Sequence, residues 1–289
     1  MINHVQFPKL GIELTINRVA FSIGGFDIYW YGIIFAFTIL AGATMAIYHG
    51  KKLGINDDDF IDVIMIGAVC GIIGARAYYV AFAPFKYETL WDMINLRDGG
   101  IGIYGGLIAG LISGWFLCKW KKINFLDAAD CVFTGFLFGQ TFGRWANFMN
   151  QEAFGTNTTN IFGMISESTT RYLSRVAPTL ARQGITVDPN MPVHPTFLYE
   201  SVWCFIGFII LFMHFKKRKF RGEMLCMSWA WYGFGRFFIE GLRTDSLATN
   251  GGLRTSQLVA VATVLMAVSF IIYNYFKINK TERKEENEQ

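Results

Sequence analysis

Seven predominantly apolar stretches run through this chain, and each approaches the roughly 20 residues that an α-helix needs to cross the hydrocarbon of a bilayer. Only 17% of the 289 residues are charged, whereas a soluble domain usually has about 25%. The pattern predicts an all-α integral membrane protein with about seven transmembrane helices. The predicted spans are Ile28–Tyr48, Phe60–Ala83, Gly102–Leu117, Leu126–Ala146, Phe197–Phe215, Met224–Gly241 and Gln257–Phe276.

Basic residues are concentrated in alternate loops, and the positive-inside rule makes those loops cytoplasmic. We therefore expect the amino terminus outside and the carboxyl terminus in the cytoplasm. This topology accounts for the net charge of +4, so the charge does not indicate a nucleic-acid partner. The basic residues are Lys51, Lys52, Lys119, Lys121, Lys122, Lys216, Lys217, Arg218, Lys219, Arg221, Lys277 and Lys280.

The spans predict one polytopic domain over residues 1–289, with a small head inserted at residues 150–195. This segment is rich in Thr, Ser, Asn and Pro, and the topology places it outside the cell. The five cysteines lie in or beside the spans, without a Cys-x-x-Cys pair or a cluster of histidines. Neither a metal nor a cofactor is therefore expected.

Two glycine series predict close helix packing. Gly102, Gly106, Gly110 and Gly114 recur at every fourth residue, as do Gly135, Gly139 and Gly143. Such spacing makes a smooth helix face that a neighbouring backbone can approach.

Polar side chains recur at one depth of the predicted bundle, towards the outer ends of the spans. Charge at membrane depth is costly unless it is paired or faces a polar cavity. We therefore expect these side chains to face a cavity that opens to the outer leaflet. They are Tyr31, Arg76, Tyr104, Arg144, Asn147, His194, Arg236, Glu240 and Arg243.

Three of these residues share one face of the sixth span. Arg236, Glu240 and Arg243 are separated by four and three residues, a spacing that brings helical side chains together. Glu240 can then pair with both arginines and orient them, which on its own would make only an internal salt-bridge network. With Arg144 and Arg76 added, the excess of guanidinium groups favours an anionic ligand such as a phosphate.

The segment Gly143–Gly155 carries an arginine, two asparagines, a glutamate and a glycine where the fourth span ends. It resembles the signature of the prolipoprotein diacylglyceryl transferase family. The resemblance extends over most of the chain through Trp30–Gly32, Asp98–Gly100, Tyr104–Leu107, His194–Thr196, and Arg236 with Glu240 and Arg243.

The resemblance implies a definite reaction, the first step of bacterial lipoprotein maturation. A diacylglyceryl group would pass from phosphatidylglycerol to the lipobox cysteine thiol of a prolipoprotein signal peptide, forming a thioether and releasing glycerol phosphate. It also implies a seven-helix bundle in the bacterial cytoplasmic membrane, with a small outer head and lateral openings to lipid. The expected partners are these two substrates and the bilayer, with no nucleic acid and no cofactor.

Pattern and resemblance together assign two sets of site residues. Residues expected to act on the reacting groups are Arg144, Tyr104, Arg236 and Glu240. Residues expected to bind substrate are Tyr31, Arg76, Asn147, Asn150, Glu152, Gly155, His194 and Arg243.

Several roles stay open at this point. Many members of the family have histidine where this chain has Tyr104, so Tyr104 is either a phenolate base aided by nearby arginines or a residue that positions substrate. His194 is either a proton carrier or a residue that caps a helix or holds a loop. Glu152 either fixes Arg144 or holds its own loop, and Glu200 is interpreted as a helix-start acid with a local partner.

A lipid or anion transporter is the main alternative, because intramembrane arginines also mark transport pathways. A transporter needs polar groups along a path to both faces of the membrane. The inner halves of the predicted spans are almost purely apolar, with Gln140 and Asp130 as the main exceptions. The pattern therefore favours an enzyme.

Overall fold

The computed structural model describes residues 2–83, 85, 87–95, 99–182, 184–243 and 254–288, with side chains up to residue 283. Asp98, part of one family motif, lies outside the described residues. The described elements follow one another along the chain as strands β1 (Ile2–Phe7), β2 (Ile12–Asn17), β3 (Val19–Ile23) and β4 (Phe26–Tyr29), helices α1 (Trp30–Lys52), α2 (Asp57–Ala81), α3 (Leu90–Ile94), α4 (Ile103–Trp120) and α5 (Phe125–Asn150), strand β5 (Ile165–Ser166), and helices α6 (Glu167–Arg182), α7 (Thr196–His214), α8 (Glu223–Gly241) and α9 (Thr255–Glu288).

Each predicted span corresponds to one long helix: α1, α2, α4, α5, α7, α8 and α9. Among the described residues, five of these helices are long and apolar enough to cross a membrane by length and composition. The long helices outside that group are α5, which carries Arg144, and α8, which carries Arg236 and Glu240. The chain is a multi-pass membrane protein, and its two least apolar long helices carry candidate site residues.

The chain divides into two compact units. Unit 1 comprises residues 1–42 and 133–289, and unit 2 comprises residues 43–132. Unit 1 therefore contains β1 to β5, the start of α1, most of α5 and all of α6 to α9. Unit 2 contains the end of α1, helices α2 to α4 and the start of α5.

In unit 2, helices α2 and α4 approach each other through small residues. A Cβ added at Gly105 would lie 2.3 Å from the carbonyl oxygen of Gly74 and 2.2 Å from Cβ of Tyr78, so only glycine fits there. Gly106 faces Gly71 with a corresponding distance of 3.2 Å. The close helix packing predicted for the first glycine series is therefore confirmed at Gly106. It is not found at Gly114, where an added Cβ would meet nothing within 4 Å.

In unit 1, the second glycine series packs against α1. A Cβ at Gly139 would lie 3.1 Å from the backbone oxygen of Thr38, and a Cβ at Gly42 would lie 3.1 Å from the oxygen of Gly135. The close contact predicted from the spacing is therefore confirmed for Gly135 and Gly139.

The head contains strands that the sequence did not predict. Strand β1 is the middle strand of an antiparallel sheet in the order β2-β1-β5, and β3 and β4 form a separate hairpin. Val5 and Phe7 of β1 pack into a buried cluster with Leu173 of α6 and Met164 and Val193 of the adjoining loops. Strands β1 and β2 therefore pack with β5, α6 and loops within residues 150–195, in a protein that is otherwise mainly helical.

Candidate active site

Helix α5 ends in a tight reversal that carries several candidate residues. Gln151 and Ala153 have φ values of 52° and 57°, a left-handed conformation that is uncommon for residues other than glycine. The hydroxyl of Thr196 donates to the carbonyl of Ala153, which ties the reversal to the start of α7. Surrounding contacts therefore hold a strained turn at the end of the helix.

The amides in this turn converge on one carboxylate. Asn147 Nδ2 donates to Glu152 Oε1 over 3.0 Å, and Asn150 Nδ2 approaches the same oxygen at 3.4 Å. Arg18, which the sequence did not single out, donates to the carbonyl of Asn150. These contacts favour the interpretation that Glu152 holds its own loop.

Charged side chains from α5, α7, α8 and the segment directly after α8 form a partly buried series of alternating sign, here called the ion chain (Arg144, Glu200, Arg236, Glu240 and Arg243). Arg144 Nε lies 2.5 Å from Glu200 Oε2, and Arg236 Nη1 lies 2.6 Å from Glu200 Oε1. Arg236 Nη2 lies 2.6 Å from Glu240 Oε2, which in turn lies 4.0 Å from Arg243 Nε. The predicted pairing of Glu240 with Arg236 and Arg243 is confirmed, although Arg243 lies just beyond the end of α8.

Glu200 links α5 to α8 through the ion chain. Its side chain is 5% exposed and lies between two arginines that are 17% and 21% exposed. The expectation of a local partner was wrong, because both partners belong to other helices. The sequence did contain a signal for such partners. Glu200 lies one turn into an apolar helix, and a carboxylate at that depth needs a charged partner.

The ion chain contains more cationic than anionic groups. It consists of three guanidinium groups and two carboxylates. Arg144 Nη2 also donates to the hydroxyl of Tyr232 over 3.0 Å. Its Nε group forms an ion pair with Glu200 Oε2 but lacks hydrogen-bond geometry. A guanidinium carries five N–H donors, so Arg144 has donors beyond the one on Tyr232 that can face an anion.

Backbone bonds connect the turn, the loop before α7 and the end of α8. Gly155 N donates to the carbonyl of His194 over 2.9 Å, and Thr156 N donates to Leu242 O over 2.7 Å. A Cβ at Gly155 would lie 2.7 Å from Cβ of His194 and 2.8 Å from Leu242 O. Gly155 therefore allows three segments to meet, which is a packing role.

Arg254, absent from the predicted site, completes the end of α8. Its guanidinium donates to the carbonyls of Glu240 and Arg243. A cation near a helix carboxyl end satisfies the last carbonyls and interacts favourably with the helix dipole. The sequence signal was weak, because Arg254 lies outside the predicted spans.

His194 is anchored by its surroundings. Its Nδ1 lies 3.2 Å from the hydroxyl of Tyr199, and its backbone N donates to Thr156 O. Partial burial lowers the pKa of His194 below its usual value, so the imidazole is neutral at pH 7. These contacts favour the loop-holding role over that of a proton carrier.

Tyr31, at the start of α1, is 40% exposed and stacks on Phe35 with ring centroids 6.5 Å apart. It lies within electrostatic range of Glu152 and Arg144. Tyr31 therefore borders the same part of unit 1 as the α5 turn.

Unit 2 contains two of the predicted site residues. Arg76 is 9% exposed and donates to four backbone carbonyls, those of Asp92, Met93, Gly99 and Gly100, over 2.6–2.8 Å. Such contacts favour a loop-holding role for Arg76. Tyr104, at the first turn of α4, is 47% exposed, and its ring centroid lies 6.5 Å from that of Tyr78.

A comparison with known protein families covers the range in which these site residues lie. The model of the family "Prolipoprotein diacylglyceryl transferase" matches residues 18–273. The chain belongs to this family. In the part that the structure describes, no group of three or more His, Cys, Asp or Glu side chains could hold a metal ion.

Curated relatives cover nearly the whole chain. A phosphatidylglycerol–prolipoprotein diacylglyceryl transferase of Bacillus cytotoxicus is 40% identical over 91% of this chain and 94% of its own length. Proteins of the same name from Finegoldia magna and Clostridioides difficile are each 40% identical over 93% and 94% of this chain, and over 100% of their own lengths.

Proposed function

We propose that this chain is a phosphatidylglycerol–prolipoprotein diacylglyceryl transferase whose phosphate-binding site is the ion chain of unit 1. The observation that carries the proposal is a partly buried group of three arginines, linked by two buried carboxylates, in a member of this family. The lipid substrate is a phosphodiester, and guanidinium groups are well suited to phosphate oxygens.

The chemical step is a displacement at carbon. The cysteine thiolate of the signal peptide attacks the carbon of the diacylglyceryl unit that is bonded to the phosphate oxygen, and a sulfur–carbon bond forms. The carbon–oxygen bond breaks, and its electron pair leaves with the oxygen of glycerol phosphate. Negative charge therefore grows on the leaving group.

Arg144 is the residue best placed to stabilise that charge. Its guanidinium is held by an ion pair with Glu200 and by the hydrogen bond from Nη2 to Tyr232. These contacts restrict the orientation of the group and leave further N–H donors for phosphate oxygens. Arg236 and Arg243 add positive charge along the chain, and Glu240 orients both. Preorganised donors of this kind are commonly the largest contribution to catalysis.

Asn147, Asn150 and Glu152 form the proposed wall for the lipid headgroup, with Tyr31 on the adjoining helix. The two amides retain donor capacity beyond their contacts with Glu152, since each carries two N–H groups. Gly155 and His194 support this wall through backbone contacts. Arg76 acts at a loop of unit 2, where it fixes the backbone that precedes α4.

The thiol proton has to leave before attack, because the thiolate is the nucleophile. Tyr104 is half exposed at a helix start, and it either accepts the proton or positions substrate. Tyr104→Phe separates these roles. Near-normal turnover across the pH range would rule out a phenolate base and leave proton transfer to the leaving phosphate through water.

We also propose that the site opens to the outer leaflet, with the amino terminus outside and the carboxyl terminus in the cytoplasm. The alternating basic loops support this orientation. It would place the head on the face of the membrane where exported precursors arrive. Labelling of single cysteines introduced into the head and into the α9 tail, with an impermeant thiol reagent in intact cells, tests it.

A reconstituted assay tests the function. Purified protein is mixed with phosphatidylglycerol and a lipobox peptide, and glycerol phosphate release is followed with the peptide mass. We expect a mass gain of one diacylglyceryl group, absent when the peptide cysteine is replaced by serine and lost in Arg144→Ala. The matched control is Arg175→Ala, which removes an exposed arginine of α6. No adduct and no release from folded wild-type protein would refute the proposal and favour lipid transport.

A further inference from the structure

Helices α7 and α8 are joined by two tryptophans that cross between them. Trp203 of α7 and Trp231 of α8 stack with ring centroids 4.3 Å apart and planes 14° from parallel. Each indole N–H donates to the backbone carbonyl of the other tryptophan over 2.9 Å. The contact is reciprocal in both stacking and hydrogen bonding.

Each indole lies on a glycine of the opposite helix. A Cβ at Gly235 would lie 2.2 Å from Trp203 Nε1, and a Cβ at Gly207 would lie 2.3 Å from Trp231 Nε1 and Cδ1. In both helices the glycine follows the tryptophan by four residues, so the same Trp-x-x-x-Gly pattern occurs on each side. The four residues Trp203, Gly207, Trp231 and Gly235 are called the tryptophan lock.

On both helices, the nearest residues of the tryptophan lock and the ion chain lie within one helical turn of each other. Glu200 precedes Trp203 by three residues on α7, a spacing that places both on one helix face. Arg236 follows Gly235 directly on α8. The 2.6 Å contact between Arg236 Nη1 and Glu200 Oε1 therefore joins the two helices one turn from the point where the lock fixes them.

We infer that the tryptophan lock sets the register of α7 against α8, and that its four residues are positioning residues for the Glu200–Arg236 pair. The inference deepens the proposed function and rests on it. Within a membrane, water does not drive the helices together, so close packing and interhelical hydrogen bonds decide how two helices meet. The tryptophan lock provides both the close packing and the interhelical hydrogen bonds in a single contact between α7 and α8.

The geometry gives the size of the expected effect. Ordinary contact begins at 3.4 Å, so a methyl group at Gly235 has to displace the indole by 3.4 − 2.2 = 1.2 Å. The ring cannot move that far without breaking its bond to Trp231 O, and the two helices shift instead. A misplacement of about 1 Å at a catalytic site can cost about a hundredfold in rate.

The test compares Gly235→Ala and Gly207→Ala with Gly114→Ala, a helical glycine whose added Cβ meets nothing within 4 Å. The control carries the same gain in helix propensity. We expect turnover per folded protein to fall at least tenfold in the lock variants, with KM for the peptide within about twofold of wild type. Turnover equal to the control would overturn the inference.

A double-mutant cycle separates positioning from general destabilisation. Gly235→Ala is combined with Glu200→Gln, and the residual rates are compared. If the lock acts through Glu200, the double variant is no slower than Glu200→Gln alone, because the two changes remove the same interaction. Losses that multiply would assign the lock a merely structural role.

Two further outcomes are distinguishable. If the alanine variants do not fold, Trp203→Phe and Trp231→Phe remove the N–H donors without adding volume, and the same cycle applies to them. If folded wild-type protein makes no adduct, the proposed function fails before the lock is tested. Active wild type with unaffected lock variants refutes the lock alone.

Discussion

Glu200→Gln removes one negative charge from the middle of the ion chain while keeping the shape of the side chain. Two arginines then face each other across an uncharged amide, at positions where they lie 2.5 and 2.6 Å from the carboxylate oxygens. Arg236 retains Glu240, whereas among the described residues Arg144 keeps the hydroxyl of Tyr232 and no carboxylate partner. Arg144 therefore loses more of its stabilising contacts than Arg236 does.

The magnitude follows from burial. Removing one partner of a buried ion pair costs about 3–5 kcal/mol. The arginines are 17% and 21% exposed, so water compensates in part and the lower figure of about 3 kcal/mol applies. Because each 1.36 kcal/mol corresponds to a factor of about ten in rate, a loss of this size in the transition state slows transfer more than about a hundredfold.

The assay measures diacylglyceryl transfer and the thermal unfolding midpoint of the same detergent preparation. Glu167→Gln, at an exposed glutamate that begins α6, is the matched control. Glu200→Asp keeps the charge but shortens its reach, and we expect an intermediate rate. Wild-type turnover together with an unchanged midpoint in Glu200→Gln would refute the ion chain as the centre of the site.

Three further predictions concern the segments around the ion chain. Asn147→Ala loses the 3.0 Å hydrogen bond to Glu152, and we expect transfer to slow about tenfold. Asn150→Ala should slow transfer less, because the contact of Asn150 with Glu152 is longer, at 3.4 Å. Equal rates in the two variants would contradict this ranking. Gly155→Ala places a methyl group 2.7 Å from Cβ of His194, and we expect a lower yield of folded protein and a lower unfolding midpoint, so wild-type values for both would refute the packing role. Because burial lowers the pKa of His194 from 6.5, the unfolded chain binds a proton first on acidification. Stability should therefore fall as the pH drops below 6.5 and level off below the folded pKa; His194→Gln should remove this part of the slope, and an unchanged slope would show that another group causes it.

The long helices could be predicted because each corresponds to a predominantly apolar stretch of nearly membrane-spanning length, although α5 and α8 are not among the five that qualify as spans by length and composition. Each of the seven apolar stretches became one helix, and the pairing of Glu240 with its two arginines followed from spacings of four and three residues. Contacts within one helix depend only on the periodicity of that helix.

The rest of the site depends on which helices become neighbours. Nothing local connects Glu200 to Arg144 or Arg236, which lie 56 and 36 positions away along the chain. The repeated Trp-x-x-x-Gly pattern was present in α7 and α8, but its meaning appears only when the indoles are seen to lie on the opposite glycines.

The amino-terminal strands were missed for a different reason. Val5 and Phe7 alternate with polar residues, as in a strand with one buried face. That face is covered by α6 and by loops more than 150 residues away along the chain. A hydropathy search for spans does not register so short a pattern, and these strands therefore emerged only from the structure.

The most direct measurement is the single-turnover rate of diacylglyceryl transfer by wild type and by Arg144→Lys, with phosphatidylglycerol as donor. Lysine keeps the positive charge, but its donors lie on a single nitrogen and cannot reproduce the planar guanidinium that reaches Glu200, Tyr232 and the phosphate from separate nitrogen atoms. If the guanidinium of Arg144 stabilises the leaving phosphate, the rate falls about a hundredfold or more in folded protein. A lysine variant that transfers the lipid at the wild-type rate would contradict the proposed site.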